Sequence, residues 1–367
     1  MKNLFPKIPN SKPYLNKEME EAVMSALKSG KYILGENCSK FEEEFSHFIG
    51  TDFGVLTNSA TSAILLTLIS LGIEKDDEII VPSLTAFPTI EPILFLGAKP
   101  VFVDIGNDYL IDCSLIEEKI TPKTKIIMPV HLYGNVCDMD KILEISKKHN
   151  LIVIEDCSQA HGSEYKDKKA GSFGKASIFS FYPSKNMTFF GDGGIVLTNS
   201  SLINEKVRML RNHGRKDKNL NCLVGFNMRC NEIQASAGLI QLKNLKWFIE
   251  RRRKIAMLYN DLLKDLPIII PASNPEVKHA YHLYVIQVKN RKKVVQMLEK
   301  NGIQIGIHYP RPCHLQPIVV ERIGMSNLPK TEEVCDNIIS LPIYPELKEE
   351  KIKYIVKQLE SSVERFK

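Results

Sequence analysis

A chain of 367 residues, 44% of them hydrophobic, is long enough for a large enzyme domain and a smaller second one. Its 49 Lys and Arg exceed its 43 Asp and Glu by a formal +6, spread as short lysine pairs instead of one basic block with interleaved aromatics, which argues against nucleic-acid binding. Eight cysteines without a CxxC pair, a start ("MKNLFPKIPNSKPYLNK") without an apolar leader, and no apolar run of about 18 residues point to a cytoplasmic protein with reduced thiols and no membrane span.

In chain order, "TNSATSAILLTLISLG" (57–72) reads as an apolar helix opened by Ser, Asn and Thr, which are N-cap formers. Short β-rich runs follow: "DEIIVPS" (77–83), "KPVFVDI" (99–105), "KIIMPVHLYG" (125–134), "LIVIEDCSQAHG" (151–162) and "GGIVLTN" (193–199). Amphipathic stretches separate several of them, and that alternation predicts an α/β fold with a mostly parallel sheet flanked by helices. Ligands bind such sheets beyond the carboxyl ends of the strands, where the polar residues of these runs fall. From 231 a long helical pattern, "NEIQASAGLIQLKNLKWFIERRRKIAMLYNDLL", reads as a connector. Beyond it, "HAYHLYVIQV", a helix at "RKKVVQMLEKNG", the loop "GIHYPRPCHLQP" and a last helix over 348–365 predict a smaller C-terminal α+β domain. The expected division is 1–250 and 251–367.

Three features carry chemistry. Lys185 stands in "IFSFYPSKNMTFFGDGG" between aromatic residues and a glycine turn. Partial burial there lowers a lysine pKa toward the range where the neutral amine acts as a nucleophile or base, as Schiff-base chemistry needs. In "VIEDCSQAHG" two acids end a strand; alternation sends Glu155 and Asp156 to opposite faces, so one of them serves a given site. An acid there needs a cation. No HExxH or CxxC spacing supports a metal, and the alternative is a protonated heteroaromatic nitrogen such as the pyridinium of pyridoxal phosphate. The third feature is the free amides of the helix start near Ser59, suited to a phosphate. "GDGG" reads only as a tight turn before a strand.

Over nearly its whole length the chain also resembles the fold-type I sugar aminotransferases of the DegT/DnrJ/EryC1/StrS family, through "SGKYILGENCSKFEEEF", "VPSLTAFPTIEPI", "EDCSQAHG", "SFGKASIFSFYPSKN", "GDGGIVLTN", "GFNMRCNEIQA" and "IHYPRPCHLQP". The resemblance implies pyridoxal 5'-phosphate as cofactor, bound covalently through Lys185, which would also shuttle a proton. It implies that Asp156 holds the pyridine nitrogen protonated and that Gln159 touches the ring or its phenolic oxygen. The phosphate would lie among Ser59, Ala60, Thr61, Ser180 and an Asn227 from a second subunit, giving a homodimer with shared active sites. Where relatives stack an aromatic residue on the ring this chain has Ala86, with Phe87 one place along; His161 is expected to pack over the ring instead.

The family aminates keto groups on nucleotide-linked sugars, usually from L-glutamate. "YPSKNMTFFGDGG" and "QAHG" are similar to members acting at C3 of 3-keto-6-deoxyhexoses, which implies a dTDP-3-keto-6-deoxyhexose as substrate. Arg229, His308 and Tyr309 are expected to contact it, with the cations of Arg211–Lys218 as further diphosphate candidates and His314 either packing its loop or joining them. The alternatives are a 4-keto aminotransferase of the perosamine-synthase type, a regulatory relative that binds the cofactor without turnover, and a dehydratase, which would carry histidine in place of Lys185.

Overall fold

A computed structural model describes residues 7–272 and 274–366. Five strands appear in the first half: β1 Phe53–Thr57, β2 Glu78–Pro82, β3 Lys99–Val103, β4 Thr124–Ile127 and β5 Ile152–Asp156. A two-residue pair, β6 Glu164–Tyr165 and β7 Lys168–Lys169, precedes β8 Ala176–Ser180 and β9 Gly194–Thr198. The central sheet has the order β1-β9-β8-β5-β4-β2-β3. From β3 to β8 every pairing is parallel; β9 alone runs against both its neighbours. The expected mostly parallel sheet is therefore present, with two strands that the sequence reading lacked. Both β1 and β8 are five residues long and almost wholly buried. A strand covered on both faces shows no alternation, so nothing in its pattern separates it from a short buried stretch of another kind.

Two helices before residue 57, Lys17–Lys28 and Glu36–Ile49, were also absent from that reading. Each is amphipathic and packs against a 32-residue helix, Glu232–Leu263, whose N-cap is Asn231, its side chain accepting from the Gln234 amide. The expected division at 250 falls inside this unbroken helix. From Ile255 onward its apolar face joins a separate cluster with Tyr259, Leu263, Tyr284, Ile286 and Val294. That cluster sits around the antiparallel pair β11 Tyr284–Gln287 and β12 Ile338–Leu341, while β10, Val277–Lys278, pairs with β6. Ile8 returns to it and bridges to Ile303. We keep 1–250 and 251–367 as a proposed division, drawn by packing and not by a linker.

The ends of the strands place the site. Ser59 follows β1, Thr85 and Thr89 follow β2, Asp156 ends β5 and Lys185 follows β8, all at carboxyl ends. Gly194 begins the reversed β9 and so arrives at the same edge.

Candidate active site

At that edge lies a cavity of about 330 Å³ whose wall includes Ser59, Thr61, Asp156, Gln159, Ser180 and Lys185. Ser59 is the N-cap of helix Ala60–Ser70, its hydroxyl accepting from the Ser62 amide at 3.1 Å. The amides of a first turn have no intrahelical acceptor, so this end of the cavity is electropositive and suits an oxyanion. Gly194 is packed against the same turn. A Cβ on it would stand 2.4 Å from the carbonyl carbon of Ser59 and 2.5 Å from the Ala60 nitrogen. The last glycine of "GDGG" therefore has a reason beyond a turn: close approach of two backbones.

Strand alternation separates the two acids as expected. Asp156, 2% exposed, turns to the cavity; its Oδ2 accepts from Thr89 Oγ1 at 2.8 Å and its Oδ1 from the Ser158 amide at 3.0 Å. Glu155, fully buried on the other face, accepts from the amides of Gly171, Phe173 and Gly174 and lies 3.0 Å from His131 Nε2. His131, Glu155 and Cys157 are near enough to hold a metal ion. The polar atoms of His131 and Glu155 are already occupied, since His131 Nδ1 also accepts from the Cys137 amide, so the two form a satisfied buried pair with Cys157 packed beside it.

Lys185 sits in the β8–β9 loop, its amide bonded to the Tyr182 carbonyl at 2.9 Å. Phe181 and Phe189 stack beneath this loop with ring centroids 4.2 Å apart, and Asn186 fixes its far side to the Ala280 carbonyl. The aromatic block is split in two, because Tyr182 is 53% exposed and lines the cavity while Phe179, Phe181 and Phe189 are core. The half-buried amine has no hydrogen-bond or ion-pair partner at bonding distance among the described residues. Burial lowers its pKa to about 8, against a smaller opposing effect of Asp156.

Gln159 is held from both ends: its oxygen accepts from the Tyr133 amide at 2.9 Å and its nitrogen donates to the Tyr309 hydroxyl at 3.1 Å. The Tyr133 hydroxyl donates to the His308 carbonyl, and His308 Nδ1 is 2.8 Å from Ser340 Oγ. These bonds tie the "HYP" loop of the C-terminal region to Gln159 on the cavity wall, while His308 and Tyr309 themselves stand behind that wall. Burial, then Lys185, pushes the His308 imidazole down to about 4, so it is neutral at pH 7.

Most of the other expected positions lie away from the cavity. His161 does not lie on the cavity wall. Its ring is fully buried behind it, between Phe45, Phe179 and Phe181, with neither nitrogen at bonding distance from a partner. Burial, followed by Lys185, drives it to about 3, and a neutral imidazole there packs as an aromatic ring. Arg211 is 5% exposed and spends its charge on Glu42 at 2.6 Å, leaving it unavailable to a diphosphate. His314 is a buried link between Ser83 and Glu332. Asn227 is exposed outside its own chain's cavity, accepting from Arg229 Nε at 3.0 Å, and Arg229 also donates to Asn212. Ala86 lines the cavity, and Phe87, which opens the short 3-10 turn Phe87–Thr89, packs against the apolar cluster beneath. Thr85, Thr89 and Asp192 line the wall without having been singled out in the sequence, and Tyr182, expected only as one of the aromatic residues burying Lys185, lines it as well. For the threonines the only signal was a pair of hydroxyls four residues apart after a strand.

A phosphate, a protonatable ring nitrogen and an aldehyde would meet here, respectively, a helix N-terminus, a carboxylate and an unpartnered amine. The donor set fits pyridoxal phosphate, and with the sheet order it defines a fold-type I pyridoxal-phosphate-dependent transferase. Comparison with known proteins narrows the class: the profile of the DegT/DnrJ/EryC1/StrS aminotransferase family matches residues 13–360, and the chain belongs to that family of sugar aminotransferases. It is 41% identical over 341 residues to the dTDP-3-amino-3,6-dideoxy-alpha-D-galactopyranose transaminase of Aneurinibacillus thermoaerophilus, covering 93% of this chain and 94% of that one. With the UDP-N-acetyl-3-dehydro-alpha-D-glucosamine 3-aminotransferase of Acidithiobacillus ferrooxidans it shares 37% over 342 residues, 93% and 92% of the two chains. Among solved structures, S. venezuelae DesV matches with a TM-score of 0.93 and 35% identity over 98% of this chain and all of that one.

Proposed function

We propose that the protein transfers the amino group of L-glutamate to C3 of a dTDP-linked 3-keto-6-deoxyhexose, acting in the cytoplasm as a homodimer with shared active sites. The observation that carries the transaminase chemistry is the convergence of Lys185, Asp156 and the start of helix Ala60–Ser70 on one cavity. The choice of C3 rests on the "QAHG" and "GDGG" motifs, together with relatives whose names place the amino group at C3 of both dTDP- and UDP-linked sugars.

Pyridoxal phosphate, when bound, supplies the electron sink that lets a C–H bond beside nitrogen break. The rest falls to the chain. Ser59, Ala60, Thr61 and Ser180 hold the phosphate, with Asn227 reaching in from the partner, and Asp156 keeps the ring nitrogen protonated. Lys185 Nζ takes the proton from the α-carbon of glutamate and returns one to C3 of the sugar. An amine with a pKa of about 8 suits both transfers near neutral pH. Gln159 holds the ring, and Tyr309 and His308 receive the nucleotide sugar together with an Arg229 that, being bonded to Asn227, enters with it from the partner.

Turnover of a panel of 3-keto and 4-keto nucleotide sugars, with the aminated carbon assigned by NMR, tests the reading. A 3-amino product made best from the dTDP-linked sugar is expected. Turnover of 4-keto sugars alone would overturn C3, and a preference for UDP-linked sugars would overturn the nucleotide.

A further inference from the structure

Two buried hydroxyls stand beside Asp156 on the cavity wall. Thr85 and Thr89 lie just past β2, each 2% exposed, with their Oγ1 atoms 2.9 Å apart. Thr89 Oγ1 is 2.8 Å from Asp156 Oδ2. A carboxylate only accepts, so the single hydroxyl proton of Thr89 goes to Asp156. The bond between the threonines then has one direction left, from Thr85 to Thr89. The result is a one-way relay, Thr85 to Thr89 to Asp156, in which each donor polarises the next. Because the Ser158 amide serves Oδ1 at 3.0 Å, both carboxylate oxygens are fixed and the plane of the group is set before any ligand arrives.

We propose that Thr89, backed by Thr85, is a positioning residue that holds the Asp156 carboxylate on the ring nitrogen of the cofactor. This rests on the reading of Asp156 given above. A carboxylate on a strand end can rotate about its last bond, and a rotated one would leave the ring nitrogen facing no oxygen. Losing one donor to a charged acceptor in a buried site costs enough to weaken binding by about tenfold. The threonine pair also explains two hydroxyls where a purely apolar floor would pack more simply.

The test uses the full-length protein stripped of cofactor and titrated with ¹⁵N-labelled pyridoxal phosphate. Thr89→Val, close in shape but without the hydroxyl, is expected to raise the dissociation constant about tenfold and to move the ring ¹⁵N resonance toward that of a neutral pyridine. Thr89→Ser should restore both, which a merely space-filling role would not require. Thr85→Val should shift both readouts in the same direction by less, and it serves as the test if Thr89→Val does not fold. Wild-type affinity with an unchanged ¹⁵N shift in Thr89→Val, failure of serine to restore them, or no change in Thr85→Val would overturn the relay. A wild-type protein that binds no cofactor would instead remove the reading of Asp156, and the relay with it.

Discussion

A lysine with its ordinary pKa is neutral in roughly one molecule in three thousand at pH 7, whereas one near 8 is neutral in about one in ten. That gain comes from burial in a loop floored by Phe181 and Phe189, and it is the physical basis for Lys185 as nucleophile and base. Its sign gives a prediction. Burial disfavours the charged form, so the neutral fraction rises with pH and saturates above about 8. The rate at which added pyridoxal phosphate couples to the cofactor-free protein should therefore climb through about pH 8 and then level off. A rate still climbing at pH 10 would mean that the amine is not desolvated. Lys185 and Asp156 were legible in the sequence because an amine among aromatics and an acid at a strand end are both anomalous. His161 was expected over the ring by analogy with relatives that lack the stacking aromatic, and its actual surroundings, Phe45 and Phe179, could not be read locally because they come from a distant helix and from β8.

At the scale of elements, β5 does two jobs with adjacent acids. Asp156 serves the cavity, and Glu155 ties the 171–174 loop to the strand through three amides, so the side chain opposite the site stiffens the strand that presents it. Glu155→Gln would turn an amide NH₂ toward donors that need an acceptor. The expected cost is about 3 kcal/mol of folding stability, read as a lower urea midpoint with an unchanged slope. A midpoint equal to wild type would show the loop to be held by other contacts. The alternation behind this division of labour could be read from the sequence, but the partners of Glu155 could not, because amides in a glycine-containing loop carry no side-chain signal. Helix Glu232–Leu263 hid its change of neighbours for a similar reason: one continuous helical period spans both clusters, so the pattern shows no seam at 250.

For the whole molecule, the position of Asn227 bears most on assembly. It lies exposed outside its own cavity, near Val224, which is 92% exposed. A large aliphatic side chain and an amide displayed on one loop suit burial against a second copy. If the sites are shared, Lys185→Ala and Asn227→Ala homodimers are each impaired, and unfolding and refolding them together should restore about a quarter of wild-type activity, since half of the dimers are mixed and each mixed dimer has one intact site. No recovery from two impaired homodimers would mean that Asn227 does not complete the partner's site, and an unimpaired Asn227→Ala would place it outside the site altogether. The architecture as a whole was more legible than its fine contacts, because runs such as "DEIIVPS" and "LIVIED" mark a buried parallel sheet, whereas the tie between Gln159 on the cavity wall and Tyr309 forms only in three dimensions. The most direct test of the central claim follows the absorption of the cofactor-loaded protein through a single cycle. Glutamate should bleach the long-wavelength band, one 3-keto nucleotide sugar should restore it, and Lys185→Ala should do neither at a measurable rate; a wild-type band that glutamate leaves unchanged would contradict the assignment of this site to amino transfer.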